Sequence, residues 1–446
     1  MVASLLVGAL AVTTACSKPG GTATTPDATT SNQATAGAAA APTCGTKDVT
    51  LKAYFETGFP LAGDLTKEFT KQFPNVTFNT REDQFAVLTQ NAPRVLADDP
   101  PDLMRLPQMS ELAKDKLLLN LDPYAKSFGW DSWPASQLEQ MRVDADGRRG
   151  SGPLYAMGVN FSMTGVFYNK TLATQIGMTK APTTLAEFDG YLKAAKNAGL
   201  TPMAQFNGGA TGGFAFPLQA LMASYGDPAA INSWIYQKPG ATIVSPANLK
   251  ATEHLKTWVD AGFFAKDVNS MDYATMMSRF IGGESVFIFD GDWESGNLDK
   301  QMAGNVGFFL MPPVEKGGSF GAMSAPLTFG ISAKAANPDC AAFFLNWVAT
   351  NETARTIAVQ IGGSHPMGPA DAFMPKVDAN TVTAQTLAAG AAIGAQDGAM
   401  DFIANATGSI YAKGWTPNLQ KLMAGEQDPA GLLDSVQAEY KAEIGG

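Results

Sequence analysis

The stretch that most limits what this chain can fold into lies in its middle, at residues 152–170. Two runs rich in β-branched and aromatic residues, 154–159 and 163–168, read as strands. Between them stand Asn160, Phe161 and Ser162, and Asn169-Lys170 then opens a helical pattern. Nothing in the stretch breaks the chain as a flexible linker would. An extended segment passing without interruption between two structural units is a hinge, because a few backbone dihedrals can turn one unit against the other. The length supports two units, since 446 residues are too many for one core.

The first part of the chain alternates strand and helix. Residues 49–55 read as a strand. Leu61, Leu65, Phe69 and Phe73 then recur at helical spacing up to Pro74, and 76–78 read as a second strand. Residues 85–97 follow as a helix with Pro93 inside it, and 102–107 as a third strand. This pattern predicts an α/β fold with mostly parallel sheets. Ligands of such sheets bind beyond the carboxyl ends of the strands. That rule selects Glu56 and Phe59 after the first strand, and Arg105 and Gln108 at the third.

Farther on, Thr184 and Glu187 form a capping pair for a helix ending at Gly199. Residues 202–207 read as a strand that runs into the Gly-rich loop 207–213, which lacks the Gly-Lys-Ser/Thr ending of a phosphate loop. Residues 286–289 form a fully apolar strand, followed by Asp290-Gly-Asp-Trp-Glu294. His254 and Trp258 read as packing residues on an amphipathic helix.

A net charge of −10 argues against nucleic acid and against a basic face for anionic membranes. Two His, far apart, offer little for a metal site, and neither a metal nor a cofactor is expected. Residues 1–15 carry a short apolar run that reads as a signal peptide. Its small-small-Cys ending resembles a bacterial lipoprotein cleavage box, which would make Cys16 the lipidated residue. Residues 16–43 are rich in Ala, Thr, Gly and Pro and predict a disordered tether.

The central stretch, with Tyr155, Tyr168, Asn169 and Lys170 in place and Gly158 where Pro is common, resembles the crossover of extracellular solute-binding proteins of the carbohydrate ABC-importer class (family 1, maltose-binding-protein-like). The segments 282–293 and 330–347 strengthen that resemblance. It implies a two-lobed periplasmic-binding-protein-like fold of type II. The expected lobes are residues 44–157 with 312–372, and 158–311 with 373–446. Residues 306–311, ending in Pro312-Pro313, would form the second crossover.

The resemblance also implies a ligand cleft. By position, Trp293 matches the family's sugar-stacking Trp, with Asp290 or Asp292 accepting from hydroxyls. Asn160, Phe161 and Ser162 lie at the hinge, and Asn207, Thr211 and Phe214 in the loop facing the cleft. His365 falls in a family turn at the rim, and Tyr411 or Trp415 in the third return segment. By this topology Cys44 and Cys340 share a lobe and are a candidate disulfide.

The expected function is a monomeric, lipid-anchored substrate-binding protein on the outer face of the cytoplasmic membrane. It would capture a sugar or oligosaccharide and deliver it to the membrane permease of an ABC importer. A secreted glycoside hydrolase is an alternative, using carboxylates among Asp290, Asp292, Glu294 and Glu56. A two-lobe binder of a peptide or polyamine is another.

Overall fold

The computed structural model describes residues 41–445 except 58, 59, 107, 134, 210, 370 and 397. The signal peptide, Cys16, most of the tether and Phe59 lie outside the described residues. Among the described residues twelve strands follow in chain order: β1 Val49–Glu56, β2 Val76–Asp83, β3 Leu103–Arg105, β4 Arg142–Val143, β5 Arg149–Leu154, β6 Met157–Asn169, β7 Thr201–Ala204, β8 Ser285–Gly291, β9 Val306–Phe309, β10 Ala322–Gly330, β11 His365–Pro366 and β12 Ala399–Met400. The main sheet runs β2-β1-β3-β10-β6-β8-β7, with β9 and β11 also on β6 and β12 on β10. Its two flanks are parallel (β1 with β2 and β3, β7 with β8). The strands that link them, β10 and β6, pair antiparallel. The α/β class expected from the alternation is the observed one.

The parallel flanks follow from the sequence. Leu61, Leu65 and Phe69 fall on one face of the helix Leu61–Gln72 and are buried. Phe69 packs edge-on against Phe344, Phe343 and Trp347 of the helix Pro338–Thr350. Asp102, at the entrance to β3, is 2 % exposed and accepts from the backbone N–H groups of Lys52 (2.9 Å) and Asn337 (2.6 Å). This makes it a strand-entry fastener.

Two hydrophobic cores result. The first takes residues from Leu51 to Val159 and from Leu327 to Met367. The second takes residues from Met163 to Met323 and from Val382 to Tyr440. β6 therefore leaves one core after Val159 and enters the other at Met163, with Asn160, Phe161 and Ser162 at the change. β10 makes the return, from Met323 to Leu327, across a register shift between Pro326 and Thr328.

The second crossover differs from the expectation. β9 does not pass between cores: its Val306, Phe308 and Phe309 lie in the second core, paired with β6. Pro312 and Pro313 precede the return strand and do not carry it. Cys44 and Cys340 are joined by a disulfide with Cα atoms 4.2 Å apart, tying the entry of the first core to the helix Pro338–Thr350. Among the described residues no helix is long and apolar enough to cross a membrane, and no cluster of His, Cys, Asp and Glu is placed to hold a metal ion.

Candidate ligand site

The apolar strand β8 is buried along its whole length and delivers the chain to a short 3-10 turn, Asp292–Glu294. The indole of Trp293 folds back over Gly291. A Cβ on Gly291 would lie 1.9 Å from the ring, so only glycine lets the indole occupy this position. Trp293 is half-buried, and its Nε1 donates to Tyr273 Oη at 2.8 Å. Tyr273 opens the helix Tyr273–Ile281, whose N-cap Asp272 accepts from Thr275 N.

Other rings extend this surface. Phe216 lies 5.9 Å from Trp293 and 5.0 Å from Phe402, centroid to centroid. Phe402 meets Tyr411 edge-on at 5.2 Å, and Phe206 meets Tyr273 edge-on at 5.3 Å. Trp293, Tyr273, Phe402 and Tyr411 are each half-buried, so the row shows an edge to solvent. Aromatic bodies with polar tips suit a ligand that is apolar on one face and hydrogen-bonding at its rim.

Two carboxyls flank the row. Tyr273 Oη is 2.9 Å from Asp290 Oδ2 and 2.8 Å from Glu294 Oε1. Asp290 is 1 % exposed. Burial first, then the neighbouring Glu294 charge, push its carboxyl well above the usual carboxylate range.

At the core change, Asp292 Oδ1 accepts from Met163 N (3.1 Å) and from Ser364 Oγ (2.6 Å). Ser364 Oγ also lies 3.3 Å from Ser162 Oγ. Asn160 is fully buried beside Gly362, and neither of its amide atoms has a protein partner. His365 pairs with Phe161 through β11, and burial lowers its imidazole from the ordinary value. On the first core, Arg105 Nη1 donates to Leu106 O (2.8 Å) and Thr328 Oγ1 (3.1 Å), while its Nε faces Glu56 Oε2 at 3.7 Å. Burial raises the Glu56 carboxyl and Arg105 offsets part of that rise.

A family model described as "Bacterial extracellular solute-binding protein" matches residues 47–355. The chain belongs to that family. As an extracellular solute-binding protein it is a binder and not an enzyme, which removes the hydrolase alternative. Solved structures agree in fold. A chitin oligosaccharide binding protein is 21% identical with a TM-score of 0.73, covering 90% of this chain and 100% of its own. Maltose-bound T. maritima MalE3 is 15% identical with a TM-score of 0.69, covering 88% and 99%. The substrate-binding protein Lmo0181 from Listeria monocytogenes, in complex with cycloalternan, is 18% identical with a TM-score of 0.66, covering 89% and 99%. No curated protein matches the sequence.

In this solute-binding protein the sequence-predicted residues separate into three groups. Trp293 and Tyr411 lie in the aromatic row, and Asp290 lies behind it. Asn160, Phe161, Ser162 and His365 gather at the core change, with Glu56 and Arg105 facing each other on the first core; Gln108 is half-buried.

The third group is corrected by burial. Phe214 is 0 % exposed and packs on Phe264, and Trp415 is 0 % exposed against Trp234, so both are core residues. Asp292 is 2 % exposed, and its Oδ1 already accepts from Met163 N and Ser364 Oγ, so in this structure it fastens segments within the protein. Asn207 is fully buried, its Nδ2 donating to Asn269 Oδ1 (2.9 Å), while Thr211 stays half-buried in the loop. The glycines of that loop are steric: a Cβ on Gly212 would meet Asn207 Oδ1 at 2.2 Å, and one on Gly213 the Phe206 ring at 2.3 Å.

Sequence reading did not single out Tyr273, Phe206, Phe216, Phe402 or Ser364, which the structure places beside the candidate residues. The one signal available was the Phe-Ala-Phe run at 214–216. Residues two apart lie on opposite sides of a helix. The helix Ala215–Tyr225 turns Phe216 to the row and leaves Phe214 in the core.

Proposed function

We propose that this protein captures a sugar or oligosaccharide between two lobes built on the two cores and delivers it to the membrane permease of an ABC importer. The observation that carries the reading is the half-buried Trp293 indole, held in position by Gly291 and Tyr273 at one end of an aromatic row. The C–H face of a pyranose lies well on an indole, while its hydroxyls need fixed polar partners. Neighbours of the same fold, whose titles name chitin oligosaccharide, maltose and cycloalternan, support the same class of ligand. β6, β10 and the segment after Met367 join the lobes, and rotation at Asn160–Ser162 would bring Glu56 and Arg105 toward Trp293. Cys16 anchors the monomer to the outer face of the cytoplasmic membrane; Cys16→Ser should release the full chain from the membrane fraction.

A melting screen against mono-, di- and oligosaccharides tests the ligand class. A ligand at a hundred times its Kd stabilises by about 2.7 kcal/mol and should raise Tm by several degrees. The same ligand should change Trp fluorescence, and the change should vanish in Trp293→Ala. If no sugar shifts either signal while a peptide or polyamine does, the carbohydrate reading is overturned.

A further inference from the structure

We propose that Tyr273 is the positioning residue for the Trp293 stacking face and that it does so through one proton held by the Asp290–Glu294 pair, which makes solute binding proton-dependent. The inference rests on the sugar-stacking reading above.

Tyr273 Oη has three neighbours at hydrogen-bond distance: Trp293 Nε1 at 2.8 Å, Asp290 Oδ2 at 2.9 Å and Glu294 Oε1 at 2.8 Å. A phenol carries one O–H and two lone pairs, and an indole N–H can only donate. Trp293 therefore uses one lone pair, and the single phenolic proton serves one carboxylate. The other carboxyl must bring its own proton and donate it to the second lone pair; otherwise two oxygens face each other with no hydrogen between them.

Asp290 suits that role. It is 1 % exposed, its Oδ1 meets no protein donor, and burial favours its neutral form. Glu294 is half-buried and accepts from Asn297 Nδ2 at 2.8 Å. With Asp290 donating to Tyr273, Tyr273 donating to Glu294 and Trp293 donating to Tyr273, every valence of the phenol oxygen is used and the indole plane is fixed.

Among the described residues no cation takes the proton's place. On the Tyr273 helix, Arg279 is engaged by Asp267 (2.7 Å) and Glu284 (3.9 Å). Asp292, beside the cluster, is tied to Met163 and Ser364. On the following helix Ser295–Met302, Asp299 accepts from Val382 N and Thr383 N, and Lys300 makes no ion pair with either carboxyl. β6, β7 and β8 contribute no other charge than Asp290. Among the described residues no Lys, Arg or His pairs with Asp290 or Glu294. Loss of the proton puts two uncompensated carboxylates against one phenol and frees the indole from its fixed plane. Because the Asp290 carboxyl is raised in the folded protein, its favourable contribution is present at low pH and is lost as pH rises.

The experiment measures affinity for the tightest sugar of the screen, between about pH 5 and about pH 9. In parallel, the Trp293 indole N–H signal is followed by NMR without ligand, assigned by its loss in Trp293→Phe. The wild type should bind more weakly as pH rises, by up to about tenfold per unit for one linked proton, and its indole signal should titrate. Asp290→Asn supplies a fixed N–H donor and should abolish both pH dependences. Tyr273→Phe should weaken binding by about tenfold at the low end of the range and likewise remove the pH dependence.

An indole signal that ignores pH, or an Asp290→Asn variant that keeps the wild-type titration, overturns the proposal. If the indole titrates and Asp290→Asn stops it while no sugar binds, the shared proton stands and only the sugar reading falls.

Discussion

Gly291 shows how one atom decides what a side chain is for. Its hydrogen leaves the space in which the Trp293 indole lies, and a methyl there would sit 1.9 Å from the ring. Gly291→Ala should therefore push the indole off its plane. We expect at least about a tenfold loss of ligand affinity, equal to about 1.4 kcal/mol, with a red-shifted Trp emission. Unchanged affinity would show that the ligand does not use that ring. Gly-x-Trp was legible as a motif, and the glycine's reason is now physical: a close approach, not a turn. Tyr273 was not legible. It is 20 residues from Trp293 in sequence, and no local pattern distinguishes a phenol that orients an indole from one that caps a helix.

At the scale of elements, the interest lies in the places where segments meet. Asp292, after β8, binds Met163 on β6 and Ser364 just before β11, so one carboxylate closes three separate segments at the core change. Asp292→Ala leaves the buried Met163 N–H without its side-chain acceptor, while Ser364 Oγ still has Gly362 O at 3.1 Å, and should cost about 1–3 kcal/mol, whereas Asp292→Asn keeps an acceptor oxygen and should cost under about 1 kcal/mol. Denaturant unfolding of the two variants checks the difference; equal losses would mean that these bonds do not hold the segments. β6 was legible in part: the run 163–168 lies inside it, while the run 154–159 spans the break between β5 and β6 at Tyr155–Ala156. β10 was not: Pro326 sits mid-strand, where proline argues against a central strand, and the register shift beside it accommodates the defect. β9 has the better local pattern for a crossover but spends it on an edge of the second core.

Over the whole molecule, two links span long distances in sequence. The Cys44–Cys340 bond closes a separation of 296 residues within the first core. The hairpin of β4 and β5 belongs to the first core through Val143 and Leu154, yet reaches the second. Gly150 lies against the Tyr236 ring, and Arg149 Nη1 approaches Asp401 Oδ2 at 2.6 Å, an ion pair not aligned as a hydrogen bond. Both side chains are buried, at 6% and 0% exposure. Asp401→Asn keeps an acceptor for Phe402 N and Asn405 Nδ2 but leaves the guanidinium unpaired, so it should cost about 3–5 kcal/mol. Asp99→Ala, which breaks the exposed pair with Lys52, should cost under about 1 kcal/mol. Comparable shifts in Tm for the two would show that the buried pair carries no special weight. The α/β class and the mid-chain passage between two cores were readable from the chain alone, because periodicity is a local property; Trp293 was reached through its position in a family motif, and the role of Gly291 came from the structure. Only the tertiary structure decided that Phe214 and Trp415 are core, that Asp292 fastens segments, that β10 makes the return, and that Phe216, Phe402 and Tyr273 join Trp293. A side chain's exposure and its partners depend on which distant segment covers it, and that is fixed by strand order and packing, not by its neighbours in sequence.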